Sequence, residues 1–218
     1  MKKALIIALC LVFVVATVAM AGIRYSKHDL SSSGGQDTRS TNIDEICVFC
    51  HTPHASNTAM TAAPLWNRSD NNTTWQNTNA YSTDTLDGVS TGPNDANAIS
   101  KACLSCHDGN VGDETLVNGP GSGTNTINIT WQNQTFTTVA NLNDSAGLTN
   151  DHPIGLNMAA INAVDPYIYS SPQDSNLRLF GGLVECATCH SVHNSTPYQP
   201  FLATNNAGSA MCLACHDK

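Results

Sequence analysis

Cys-x-x-Cys-His occurs four times in this chain, at Cys47 to His51, Cys103 to His107, Cys186 to His190 and Cys212 to His216. The turn that presents each pair of cysteines also places the adjacent histidine. This spacing suits two thioether bonds to a porphyrin and one axial bond to its iron. The plainer alternative is a zinc or redox Cys-x-x-Cys pair that happens to precede histidine. Histidine makes up 8 of 218 residues, so four such coincidences would arise on the order of once in a few hundred thousand chains. The spacing therefore predicts four c-type haems, attached through Cys47, Cys50, Cys103, Cys106, Cys186, Cys189, Cys212 and Cys215.

A count of ligands narrows the coordination. With His51, His107, His190 and His216 as proximal ligands, His28, His54, His152 and His193 remain. Four six-coordinate irons need four more ligands, so the count points to bis-His ligation throughout. Methionine is the competing axial ligand and raises the reduction potential where it binds; Met60, Met158 and Met211 could serve at one site. Taken singly, each spare histidine reads as a surface or hydrogen-bonded side chain titrating near neutral pH.

His54 follows His51 by three residues in Cys-His-Thr-Pro-His, and His193 follows His190 by three in Cys-His-Ser-Val-His. Ligands on opposite faces of one iron have Cα atoms roughly 12 Å apart, while three residues span at most about 10 to 11 Å. Each must then serve a different haem, or none. A reciprocal exchange would put His54 on the third haem and His193 on the first; alternatively, one of them reaches a neighbouring subunit.

The chain opens Met1-Lys2-Lys3, continues through an uncharged apolar stretch from Ala4 to Met20, and reaches Ala19-Met20-Ala21. This reads as a secretory signal over residues 1–21, with Cys10 inside it, followed by one tetrahaem domain over 22–218. An uncleaved membrane anchor is the rival reading, since about 18 or more uncharged residues can span a bilayer. Export agrees with the cofactor, because bacterial haem attachment to this motif takes place outside the cytoplasmic membrane. Loss of Lys2 and Lys3 takes the formal charge from -8 to -10, which disfavours a nucleic-acid partner. Only 12% of residues are charged, about half the usual share, and such a surface opposes self-association weakly.

Helical periodicity is scarce outside the motifs, and the intervals are rich in Gly, Pro, Asn, Asp and Ser. The expected fold is mostly irregular, with short helical turns around Cys103, Cys186 and Cys212. A hairpin is expected from strand-like pieces at Thr126 to Trp131 and Thr135 to Ala140. A short echo links Asn72 to Asn77 with Asn128 to Asn133. The segments Ser31 to Gln36 and Gly119 to Gly123 read as flexible linkers. Four stacked porphyrins wrapped by loops would then supply the core that side chains supply in an ordinary domain of this size.

Cys-Val-Phe-Cys-His-Thr-Pro-His, Asp151-His152-Pro153-Ile154-Gly155, Cys-Ala-Thr-Cys-His-Ser-Val-His-Asn and the terminal Cys-Leu-Ala-Cys-His-Asp resemble segments of multihaem c-type cytochromes. In length, motif order and loop content the chain is most similar to extracellular tetrahaem cytochromes of the OmcE type, with specificity residing at the Cys and His positions. The resemblance implies a head-to-tail filament with a continuous haem chain, in which one axial histidine comes from the adjacent subunit. His54 is the first candidate for that donor and His28 the second, with the fourth haem as the expected recipient.

The function expected is an electron conduit to acceptors outside the cell or to other redox cytochromes, with no catalytic residues. A monomeric periplasmic electron shuttle is the alternative. A multihaem reductase is a third reading, opposed by the full complement of histidines, because catalysis on iron needs an open coordination position.

Overall fold

The computed structural model describes residues 22–61, 63–69, 75–112, 115–121, 128–135, 140–193, 198 and 200–217. Regular structure within them is short. Helix α1 spans Ala98–His107, α2 Met158–Asn162, α3 Cys186–Cys189 and α4 Ala210–Leu213. Single 3-10 turns cover Cys47–Phe49, Pro93–Asp95, Gly147–Asn150 and Ala207–Ser209. Strands β1, Leu156–Asn157, and β2, Leu183–Val184, pair antiparallel with Leu156 opposite Val184. The loop-rich architecture expected from the composition is the one observed, and the turns at Cys103, Cys186 and Cys212 are helical.

Two expectations need correction. Ser31 to Gln36 is a hydrogen-bonded turn and not a flexible linker: Ser31 and Asp29 are fully buried, Ser31 Oγ donates to Asp29 at 2.5 Å, and Gln36 donates to the Asp29 carbonyl. The two pieces expected to form a hairpin pair elsewhere, Trp131 with Ser40 and Thr135 with Asn110. Residues 126–127 and 136–139 of those pieces lie outside the described residues, as do the 1–21 segment, residues 72–74 of the echo and residues 122–123 of the second linker. Among the described residues no helix is long and apolar enough to cross a membrane.

Apolar side chains gather in small clusters, and each cluster packs on a motif cysteine. Trp75, Leu104, Leu148 and Ile154 meet Cys186; Met60, Ala63, Trp66 and Ala102 meet Cys50. Leu156, Met158, Ile161 and Val184 meet Cys215, and Leu30, Ile43 and Phe49 also pack on Cys50. Each large aliphatic or aromatic residue so buried contributes about 1.5–3 kcal/mol. Met60 and Met158, two of the three methionines considered as ligands, are core residues here, and Met211 is half-buried.

Two motifs are joined through a buried polar contact. Asn97 caps α1 by accepting from the Ile99 amide. At α3, Glu185 and Thr188 cap reciprocally, the Glu185 amide donating to Thr188 Oγ1 at 2.9 Å. The Glu185 carboxyl, only 1% exposed, accepts from Ser100 Oγ on α1, and that hydroxyl accepts from the Cys186 amide at 3.1 Å. This interaction ties the second and third motifs together.

Candidate haem sites

Each motif closes on itself. The amides of His51, His190 and His216 donate to the carbonyls of Cys47, Cys186 and Cys212 at 2.8, 3.1 and 3.0 Å. His107 ends α1 in the same relation to Cys103. One turn therefore brings residues i, i+3 and i+4 to a common face, which is the presentation that two thioethers and an axial nitrogen require.

Ring nitrogens are fixed as well. His51 Nδ1 lies 2.8 Å from the Pro64 carbonyl, His107 Nδ1 2.7 Å from Ala140 O, and His190 Nδ1 3.2 Å from Pro200 O. Donation from Nδ1 to a carbonyl selects the tautomer whose Nε2 lone pair is free for a metal. His152 Nδ1 makes the same contact with Pro153 O at 3.0 Å.

The histidines also face one another in pairs. Ring centroids are 6.1 Å apart for His51 and His193, 6.2 Å for His28 and His107, and 6.5 Å for His152 and His216. An iron between two imidazoles stands about 2 Å from each ring nitrogen and about 1.2 Å further from each ring centre, so the centroids fall roughly 6.4 Å apart. All three pairs match that span. The ring planes meet at 17°, 57° and 79° respectively.

Among the described residues no histidine ring pairs with His54 or His190 at this span, although His190 lies near His28 and His107, and both side chains are exposed. His28, expected as a second outward donor, instead sits half-buried against His107, with the Phe201 ring centred 4.5 Å away in a T-shaped contact. The fourth motif, expected as the recipient, already has His152 opposite His216. The unmatched proximal histidine is His190.

Burial sets the protonation of these groups. It pushes the His28 imidazole down to about 4, helped by the nearby His107, His190 and His193, and it lowers His107 also. Both remain neutral, the form that binds a metal. Burial raises the Cys50 thiol to about 12 and Cys189 to about 11. Such thiols disfavour the thiolate that zinc or redox chemistry would use. Among the described residues no group of three or more His, Cys, Asp or Glu side chains is placed to hold a metal ion by itself.

Cysteines of successive motifs are neighbours. Cys50 interacts with Cys106, Cys103 hydrogen-bonds Cys186, and Cys189 interacts with Cys215 and Cys212. Two buried ring nitrogens beside the motif histidines, His28 Nδ1 and Trp66 Nε1, have no hydrogen-bond partner among the described residues. Trp66 stands edge-on to His51 at 6.4 Å. Phe201 and Trp66 were not singled out from the sequence. Their signal was a Pro-x-x step recurring after the first and third motifs, as Pro64-Leu65-Trp66 and Pro200-Phe201-Leu202.

Residues 181–218, which carry the third and fourth motifs, match the family model for a doubled CXXCH motif. No curated protein matches the chain. The doubled motif indicates covalently bound c-type haem in this segment and supports electron transfer of the cytochrome c kind.

Proposed function

We propose that this chain is a subunit of an extracellular electron-conducting filament, with four bis-His c-type haems in each copy. His51 and His193 would hold the first iron, His107 and His28 the second, and His216 and His152 the fourth. His190 would hold the third together with His54 of an adjacent copy. The observation that carries this reading is the set of facing imidazoles at 6.1–6.5 Å, which leaves one ligand short and one ligand spare in every chain. A spare donor and a spare acceptor on one chain form a heterologous contact, which propagates as an open fibre unless rotation closes it.

The haems supply one-electron redox chemistry without bond making, and the protein holds them six-coordinate and close together. Contacts between cysteines of successive motifs support a relay in chain order, with the porphyrins stacked as the missing core. Export of the mature chain over 22–218 and delivery to extracellular acceptors or other redox cytochromes complete the proposal.

The exposed His190, with no imidazole opposite, also favours a second reading: an isolated protomer with one reactive iron, as in a reductase or a monomeric shuttle. Electron microscopy of native material separates the two. Filaments that disappear on His54→Ala substitution support the conduit; dispersed monomers of the unaltered protein would contradict it.

A further inference from the structure

His54 ends a segment held by a clamp of two asparagines. Asn118 Nδ2 donates to the His54 carbonyl at 3.0 Å and to the Ala55 carbonyl at 2.9 Å, and Thr52 Oγ1 donates to the His54 carbonyl at 3.0 Å. Asn118 is itself fixed by the fully buried Asn67. The Asn118 amide donates to Asn67 Oδ1 at 2.8 Å, while Asn67 Nδ2 donates to the carbonyls of Val48 and Asn118, each at 2.7 Å. One linked set of hydrogen bonds therefore runs from the first haem motif, at Val48, to the backbone beneath His54.

The clamp holds the chain in a shape it would not adopt freely. Ala55 has φ +52°, the left-handed region, which costs a residue with a Cβ about 1–2 kcal/mol. Asn118 binds the carbonyls on both sides of Ala55, that of His54 before it and its own after it. The backbone is thus fixed in a strained conformation while the imidazole it carries stays exposed and has no imidazole partner among the described residues.

The third motif supplies the contrast. Its backbone repeats the first, with Ala203 in the place of Asn67: the Ala203 amide donates to Cys189 O at 2.8 Å as the Asn67 amide donates to Cys50 O at 2.9 Å. Ala203 has no side-chain amide to clamp with, and the His193 carbonyl accepts instead from the Gly22 backbone amide at 3.2 Å. Among the described residues the asparagine clamp occurs at His54, the histidine with no imidazole paired to it.

Resting on the reading that His54 ligates a neighbouring copy, we propose that Asn118, backed by Asn67, is a positioning residue that preorganises His54 for the His190 site of that copy. A ligand held in place loses less freedom on binding, so the clamp strengthens assembly without touching the iron.

The test compares Asn118→Ala, Asn118→Asp and His54→Ala in the full haem-loaded protein. Asp preserves the shape but removes the two donors. Sedimentation would report the concentration at which copies assemble, and the low-spin spectra of the three internally paired sites would report the fold. Free imidazole is the probe for the vacated position. Both Asn118 variants should keep the three internal signals and assemble only at roughly tenfold higher concentration, from two lost hydrogen bonds. Added imidazole should restore a low-spin third site in these variants and in His54→Ala without restoring assembly. Normal assembly of the Asn118 variants beside a defective His54→Ala would overturn the positioning role alone. Normal assembly of all three would overturn the reading beneath it. Loss of the internal signals in both Asn118 variants would make Asn118 a residue of the fold and overturn the proposal as well.

Discussion

The segments 47–67 and 186–203 have one backbone plan and two outcomes. In each, the motif histidine forms an antiparallel bridge, His51 with Trp66 and His190 with Leu202. In each, its Nδ1 meets a proline carbonyl, Pro64 or Pro200, and the following residue, Leu65 or Phe201, takes a φ of +55° or +58°. The amides of Thr52 and Ser191 donate to the carbonyls of Leu65 and Phe201 at 3.0 and 2.7 Å. Yet His193 turns to His51 within the chain, while His54 finds no histidine there. Phe201 is 8% exposed and packs on His28; its counterpart Leu65 is 52% exposed. The local turn thus holds the motif histidine in the same way in both segments; under the proposed ligation, its surroundings decide whether the second histidine closes a site inside the chain or is offered outside it.

The largest expected effect comes from separating the two second histidines. His193→Ala should leave the His51 site short of a ligand at every protein concentration, turning one haem in four high-spin and reactive to carbon monoxide. His54→Ala should change nothing in dispersed protomers and should abolish assembly. Carbon monoxide difference spectra and sedimentation on both variants check this, and identical behaviour would break the distinction.

Truncation at the matched turn position sharpens it. Phe201→Ala should cost about 3–5 kcal/mol, as a buried ring is lost from the edge of His28. Leu65→Ala should fall within about 0.5 kcal/mol, because that side chain is already largely in water. Denaturant midpoints of the two variants measure the difference.

A smaller effect lies at the contact between α1 and α3. Ser100→Ala removes the hydroxyl that serves both Glu185 and the Cys186 amide, and should cost about 1–3 kcal/mol. Burial raises the Glu185 carboxyl above its ordinary range, against the opposing hydrogen bond from Ser100. The folded state then binds a proton that the unfolded state has released. This group's contribution is complete below the ordinary carboxyl range and declines as pH rises from there through the raised value. Glu185→Gln should flatten that decline, read from unfolding midpoints in acid and at neutral pH; an unchanged slope would reject the assignment.

The loop-rich chain and the helical turns at Cys103, Cys186 and Cys212 were legible in the sequence because motif spacing and turn-forming residues are local signals. The reach of three residues showed that His54 and His193 could not ligate beside their own motif partners, but not which haem each serves. That pairing depends on contacts between distant parts of the chain: Asn67 and Asn118 are 51 residues apart, and His28 meets His107 and Phe201 across the fold. The repeat itself was hidden by unequal loops, since 13 residues separate His51 from Pro64 and 10 separate His190 from Pro200. Ser31 to Gln36 misled for another reason: a Ser-Gly composition describes a turn locked by a buried Asp29 as well as it describes a linker.

Carbon monoxide titration of the reduced, unaltered protein at two states of association bears on the shared site itself. Dispersed protomers should bind about one equivalent per four haems, and assembled filaments should bind almost none, because His54 of a neighbour fills the position opposite His190. Equal uptake in the two states, or full resistance in dispersed protomers, would contradict a ligand shared between copies.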